Sequence, residues 1–186
     1  MVEVKRGNRG SEVIVEENPI SRFLFTNTRS ALIWLILRLY LGYAWLTAGW
    51  GKVGAEGWTG ENAGAAIEGY MQGALARAAE GDVANWYAWI LENAIIPNAT
   101  VFAYLVAWGE VLVGLGLIIG FLTGIAAFFG ALMNISFLLA GTISTNPVMF
   151  LIAMLLILAW KVAGWYGVDR WALPYLGTPW KRTKND

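Results

Sequence analysis

The sequence predicts an all-α integral membrane protein, a four-transmembrane-helix bundle with a long helical extracytoplasmic loop between helices 1 and 2. Three observations carry this. Only 14% of the 186 residues are charged while 58% are hydrophobic, against about 25% charged in ordinary soluble domains. The apolar residues gather into four runs, each long enough for a hydrocarbon core of ~30 Å at ~1.5 Å rise per residue. Basic residues collect at the two termini, and acidic residues in the loop between the first two runs. Disorder, a nucleic-acid-binding domain (no nucleic acid is expected as partner) and an ordinary cytosolic enzyme are excluded by the same composition.

Residues 1–30 read as a polar, cytoplasmic N-terminal arm, with Lys5, Arg6, Arg9, Arg22 and Arg29 among Glu3, Glu12, Glu16 and Glu17. No apolar core with a small-residue cleavage site stands near the start, so Ala31 onward reads as a retained span. The membrane domain covers 31–163. Its spans are expected at 31–50, 98–119, 121–139 and 147–162. The short Gly120-Phe121-Leu122-Thr123-Gly124 connection makes the second and third spans antiparallel neighbours, and Asn146-Pro147 opens the fourth, proline being tolerated in a first helical turn. Residues 164–186 form a cytoplasmic tail with Arg170, Lys181, Arg182 and Lys184.

The outer loop, 51–97, is patterned as helix. Ala63, Ala66, Ile67, Tyr70, Met71, Ala74, Leu75 and Ala78 recur at helical spacing opposite Glu61, Glu68, Gln72 and Arg77. Gly81 is a natural stop; Asp82 is placed to cap a second short helix through Trp86, Trp89 and Ile90, which Pro97 closes. These helices either anchor the loop in the headgroups or form a lid over a substrate entrance. Because the loop is acidic and the ends are basic, both termini of this multi-pass membrane protein are expected in the cytoplasm. Trp50, Trp58, Trp86 and Trp89 then mark the outer interface, and Trp34, Trp160 and Trp165 the inner one.

Two ionisable residues lie deep within spans, Arg38 and Glu110, and each costs several kcal/mol there unless paired or hydrated. Arg38 lies twelve residues before Trp50, and Glu110 twelve after Asn98. Antiparallel helices therefore put both ~18 Å below the outer interface, and an Arg38–Glu110 pair is expected. Asn134 lies somewhat nearer the outside, and Tyr40, Tyr43, Trp45, Thr47 and Trp108 are candidates to complete a polar-aromatic cavity. Lys52 stands at the outer mouth. The pair either fixes helix register or lines a site for an anionic or quinone-type ligand. Gly109, Gly114, Gly116, Gly120, Gly124 and Gly130 point to close helix packing.

The chain has no cysteine and no histidine. Thiolate and imidazole ligation are thereby removed, so no metal is expected on this chain alone. A redox role must rest on an organic cofactor such as a quinone, or on a metal carried by a partner.

Arg38-Leu-Tyr-Leu-Gly42 followed by Ala48-Gly49-Trp50-Gly51-Lys52 resembles the first-helix signature of the DoxX/DoxD membrane proteins. Glu110-Val-Leu-Val-Gly114 through Gly120-Phe-Leu-Thr123-Gly, Ala131-Leu-Met-Asn134 and Gly164-Trp-Tyr-Gly167-Val-Asp169-Arg170 are similar to later segments of that family, so the resemblance spans about residues 31–171. It implies a four-helix bundle related to the large subunit of thiosulfate:quinone oxidoreductase. The cofactor would be a quinone, with ubiquinone, menaquinone and caldariellaquinone types not distinguished. Membrane lipid and a second redox subunit or terminal oxidase complex are the implied partners, and a homo-oligomer is left open. On this reading the headgroup lies among Tyr43, Trp45 and Trp108, Arg38 stabilises developing charge, Glu110 carries a proton, and Lys52 meets a small anion. The alternative is a non-enzymatic accessory subunit of a respiratory or other membrane redox complex. A small transporter is disfavoured, because no internal repeat is evident.

Overall fold

The computed structural model describes residues 17–176, and every regular element among them is helical: α1 Pro19–Thr26, α2 Ala31–Lys52, α3 Ala65–Glu80, α4 Asn85–Ile90, α5 Ala99–Ile119, α6 Thr123–Leu139, α7 Asn146–Leu158, α8 Trp160–Ala163 and α9 Asp169–Tyr175. The basic residues at 5, 6, 9, 181, 182 and 184 lie outside the described residues. Two continuous helices, Thr28–Lys52 and Asn85–Ile119, are long and apolar enough to cross a membrane, while Thr123–Leu139 and Asn146–Leu158 are shorter apolar helices.

The close pair is α2 with α5, antiparallel and held near by glycine. A Cβ on Gly42 would press on Leu117 and Ile118, one on Gly114 on the Leu46 backbone, and one on Gly49 on Val111 N. Small residues here let the backbones approach and gain van der Waals contact, the packing lipid-facing helices depend on. On the far side, α6 and α7 complete a core in which Trp34, Leu41, Trp45, Leu117, Ala153 and Leu156 are buried.

The loop between α2 and α5 is a roof with a core of its own. Ile67, Met71 and Ala74 of α3 meet Val83, Tyr87 and Leu91, and all pack on the first turns of α5 through Ala99 and Ala103. Side chains clamp it to the α6–α7 connection: Arg77 Nη2 donates to Ala140 O at 2.8 Å, and Tyr87 Oη donates to Ser136 O at 2.9 Å. The loop is thereby packed onto the bundle as a roof.

The expected helix limits need four corrections. Gly81 ends α3 in the left-handed region (φ 92°), but Asp82 closes that end through its backbone N–H to Arg77 O, and α4 starts at Asn85 after Ala84, with no side-chain cap. Pro97 does not end the helix that precedes it. The chain stays helical from Asn85 to Ile119 through a π turn at Leu91–Ile95 and a 3₁₀ turn at Ile96–Asn98, which absorb the missing proline N–H. The fourth run breaks at Ala159 into α7 and α8. The arm is not wholly a polar extension, for α1 lays Leu24 and Phe25 against the bundle's base, where Leu24 O accepts from Trp34 Nε1 at 2.8 Å.

Candidate functional site

Charge is buried in the bundle at two places, one near the roof and one at the base. The α2–α5 register decides which residues meet. Because Gly49 faces Val111 and Glu110 Cβ, Glu110 lies level with the last turn of α2, and Arg38 lies eleven residues, or ~16 Å, below Gly49. The expected Arg38–Glu110 pair is therefore not formed. Asn98 and Trp50 are not level, since α5 rises past the end of α2 to enter the roof.

Near the roof, Lys52 Nζ donates to Glu110 Oε2 at 2.6 Å. The Glu110 side chain is 2% exposed and that of Lys52 22%, so the carboxylate is interior and the ammonium reaches the edge. Lys52 Nζ also donates to Ala48 O at 3.3 Å and stands 5.1 Å from the ring centroid of Trp58, a cation–π contact. Gly109 of α5 faces Met133 of α6, which brings Asn134 to the same level. Asn134 is 0% exposed, and neither its Oδ1 nor its Nδ2 has a hydrogen-bond partner among the described residues. Trp45, one to two turns below Lys52, is buried with an unpartnered Nε1, and that nitrogen lies beside Gly130, one turn before Asn134. Unpaired buried polar groups carry a desolvation cost of about 1–3 kcal/mol each, so this layer is under-satisfied.

The base is built differently. Arg38 is 1% exposed and donates from Nη2 to Tyr166 O at 3.1 Å; Asp169 acts on it as an opposing charge, though the pair among the described residues within salt-bridge distance is Lys52–Glu110. The Asp169 carboxylate accepts from Leu122 N at 2.6 Å and Thr123 N at 2.9 Å, covering the first turn of α6 where the helix dipole favours an anion. Val168 N donates to Ile119 O and Asp169 N to Gly120 O. Gly120 has φ 70°, and a Cβ on it would run into Arg38 Nη1; Gly167 and Gly164 are equally closed against Arg38 and Asp169. The glycines of the Gly164-to-Asp169 stretch thus make a tight clasp around the arginine. Nε and Nη1 of Arg38 and Oγ1 of Thr123 also lack partners among the described residues, and Gly120 and Gly167 leave no room for a side chain of their own beside Nη1.

Of the other expected residues, Tyr43 and Tyr40 face outward, because α2 buries the face carrying Trp34, Arg38, Leu41 and Trp45. Thr47 Oγ1 donates to Tyr43 O of its own helix, and Trp108 is exposed on the flank between α5 and α6. The roof-end layer therefore unites Lys52, Glu110, Asn134 and Trp45, and leaves out Arg38, Tyr43 and Trp108. Sequence reasoning did not find Asp169 as the counter-charge of Arg38, nor Trp58 over Lys52. The glycines at 164 and 167 around a lone carboxylate were the available sign for the first. No group of three or more metal-binding side chains occurs among the described residues.

The family model described as DoxX matches residues 33–143, more than half of the chain, including Arg38, Lys52, Glu110 and Asn134. No curated protein and no solved structure matches. On that match, with its helices packed as above, the chain belongs to the DoxX family of membrane proteins.

Proposed function

We propose that this chain is a quinone-linked redox subunit of four spans, with the roof on the outer side and both termini in the cytoplasm. Arg22, Arg29, Lys161 and Arg170 at the base, and Glu56, Glu61, Glu68 and Glu80 around the roof, support that orientation. The observation that carries the redox reading is the roof-end layer, where a buried carboxylate lies level with a buried amide and near a buried indole N–H, neither of which has a partner among the described residues. A quinone ring offers carbonyl acceptors to Trp45 Nε1 and Asn134 Nδ2, and when bound it takes up two electrons and two protons. Glu110 takes up and passes on protons at its carboxylate oxygen, and Lys52 sets how readily that oxygen is charged. Arg38, enclosed in the basal clasp, has no part in this reading.

The electrons come from an outer-side donor; in the thiosulfate version, two thiosulfates join through a new S–S bond and release two electrons. The full chain in nanodiscs, given a quinone and thiosulfate, is expected to reduce the quinone, with Glu110→Gln lowering turnover about 100-fold. No reduction in the presence of a membrane extract able to supply a partner would remove this reading. The accessory-subunit reading is favoured by the exposed Trp86, Trp89 and Trp171, which offer contact surface to another subunit. A stoichiometric metalloprotein retained in mild detergent, beside an inactive chain, would select it.

A further inference from the structure

Between α5 and α6, on the side away from α2, runs a groove of about 690 Å³ from Leu105 and Trp108 near the roof to Phe121 at the basal turn. Its rims are the exposed side chains of Trp108 and Leu112 on α5 and Phe129 and Leu132 on α6, and its floor includes Gly109, Val113 and Gly116. The groove runs along apolar helices, so it opens to acyl chains rather than to water. Its volume is that of a small-molecule site, typically ~300–1,000 Å³.

What lies behind the floor sets this groove apart from an ordinary lipid-facing seam. Val113 Cγ1 and Trp45 Nε1 flank the same point, 3.2 and 2.9 Å from where a Cβ on Gly130 would stand. The unpartnered indole N–H is therefore one side chain from the floor, with the unpartnered Asn134 one turn nearer the roof. Near the roof a Cβ at Gly109 would meet only Met133 Sδ, at 3.6 Å. A long apolar groove backed by buried, unpartnered hydrogen-bonding groups matches a molecule with a long hydrocarbon tail and a compact polar head. A second transmembrane helix matches poorly. Helices dock in membranes by bringing small residues into backbone contact, and here Gly109 and Gly116 are recessed behind the rims.

We propose that the α5–α6 groove is the lateral entry and tail-binding site for an isoprenoid-tailed quinone, whose head reaches Trp45 and Asn134 past Gly109 and Val113. This rests on the quinone reading above and adds to it the route of entry and the basis for selecting a tailed substrate. The glycine at 109 keeps the passage open, and Trp108 and Phe129 hold the chain.

The test uses the full chain in nanodiscs with two photoreactive probes, a quinone carrying a diazirine in its isoprenoid tail and a diazirine phosphatidylcholine. The tailed quinone is expected to label peptides within 105–133, with competition by unlabelled tailed quinone, while the phosphatidylcholine labels all lipid-facing helices alike. Gly109→Leu, which adds bulk where only Met133 stands near, and Leu112→Trp on the rim are each expected to abolish that labelling. Leu112→Trp, on the rim the tail lies along, is also expected to raise KM for tailed quinone roughly tenfold and leave a tail-less ring unchanged, whereas Gly109→Leu closes the passage and raises KM for both. Labelling by the tailed probe spread as the phosphatidylcholine label is, or equal KM changes for tailed and tail-less rings in Leu112→Trp, overturns the groove. Retained, competable groove labelling without any quinone reduction sinks the redox reading and leaves the groove as a site for the tailed molecule. Reduction unaffected by either variant sinks the groove and leaves the redox reading.

Discussion

The two buried charge centres of this bundle differ in space rather than in charge. At the base, Arg38 is enclosed by Gly120, Gly167 and the Asp169 segment so tightly that even a Cβ would collide. Near the roof, Lys52 reaches the protein's edge, a Cβ at Gly109 would meet only Met133 Sδ at 3.6 Å, and Asn134 and Trp45 hold hydrogen-bonding capacity that no described residue uses. Buried charge alone therefore does not mark a functional site. A charge that the fold closes over ties elements together, here α2, the α5–α6 turn and the segment before α9. A charge that reaches the protein's edge beside unused polar groups is available for chemistry.

The comparison breaks most sharply at Gly120. Alanine there meets both a left-handed backbone (φ 70°) and the guanidinium, and a loss on the order of 4 kcal/mol is expected from strain and overpacking together. Thermal unfolding in detergent should show little folded protein; a Tm within a degree or two of the parent would mean that the clasp is loose. Next, Arg38→Met removes the hydrogen bond to Tyr166 O and the opposing charge that acts on buried Asp169, and should cost about 2 kcal/mol. The double variant with Asp169→Asn should cost less than the sum of the two singles.

At the roof end the two partners should behave unequally. Lys52→Met strands a carboxylate that is 2% exposed and should cost about 2 kcal/mol, whereas Glu110→Gln leaves an ammonium already in reach of water and should cost about 1 kcal/mol. Denaturation of both variants checks the order, and the reverse order would place the burial on the wrong partner. Tyr87→Phe removes one hydrogen bond from roof to α6 and should lower stability by roughly 1 kcal/mol, read as faster amide exchange in α3 and α4 with the bundle unchanged.

Faces and axial positions differ in how far the sequence reveals them. Apolar periodicity showed that α3 would form and which side of it would be buried, because a helix's inward face repeats in its own residues. The position of one helix along another leaves no such repeat, so treating Trp50 and Asn98 as level made Arg38 and Glu110 appear matched in depth. The useful sign was the spacing of small residues: Gly42 and Gly49 on one helix and Gly114 on the other mark where the backbones touch, and that alignment carries Glu110 to Lys52. Asn134 and Trp45 were recognisable as candidates by type and place within a span. That both would be left unpartnered depends on what their neighbours do, which appears only once the helices are packed.

The most direct test pairs stability with binding in one variant, Asn134→Leu. If Asn134 is kept for a ligand, replacing an unsatisfied buried amide with an apolar side chain should hold or raise stability by roughly 1 kcal/mol. Binding of radiolabelled quinone to the protein in nanodiscs should be lost at the same time. A Tm several degrees lower with binding intact would instead make Asn134 a packing residue and remove the ligand layer from this account.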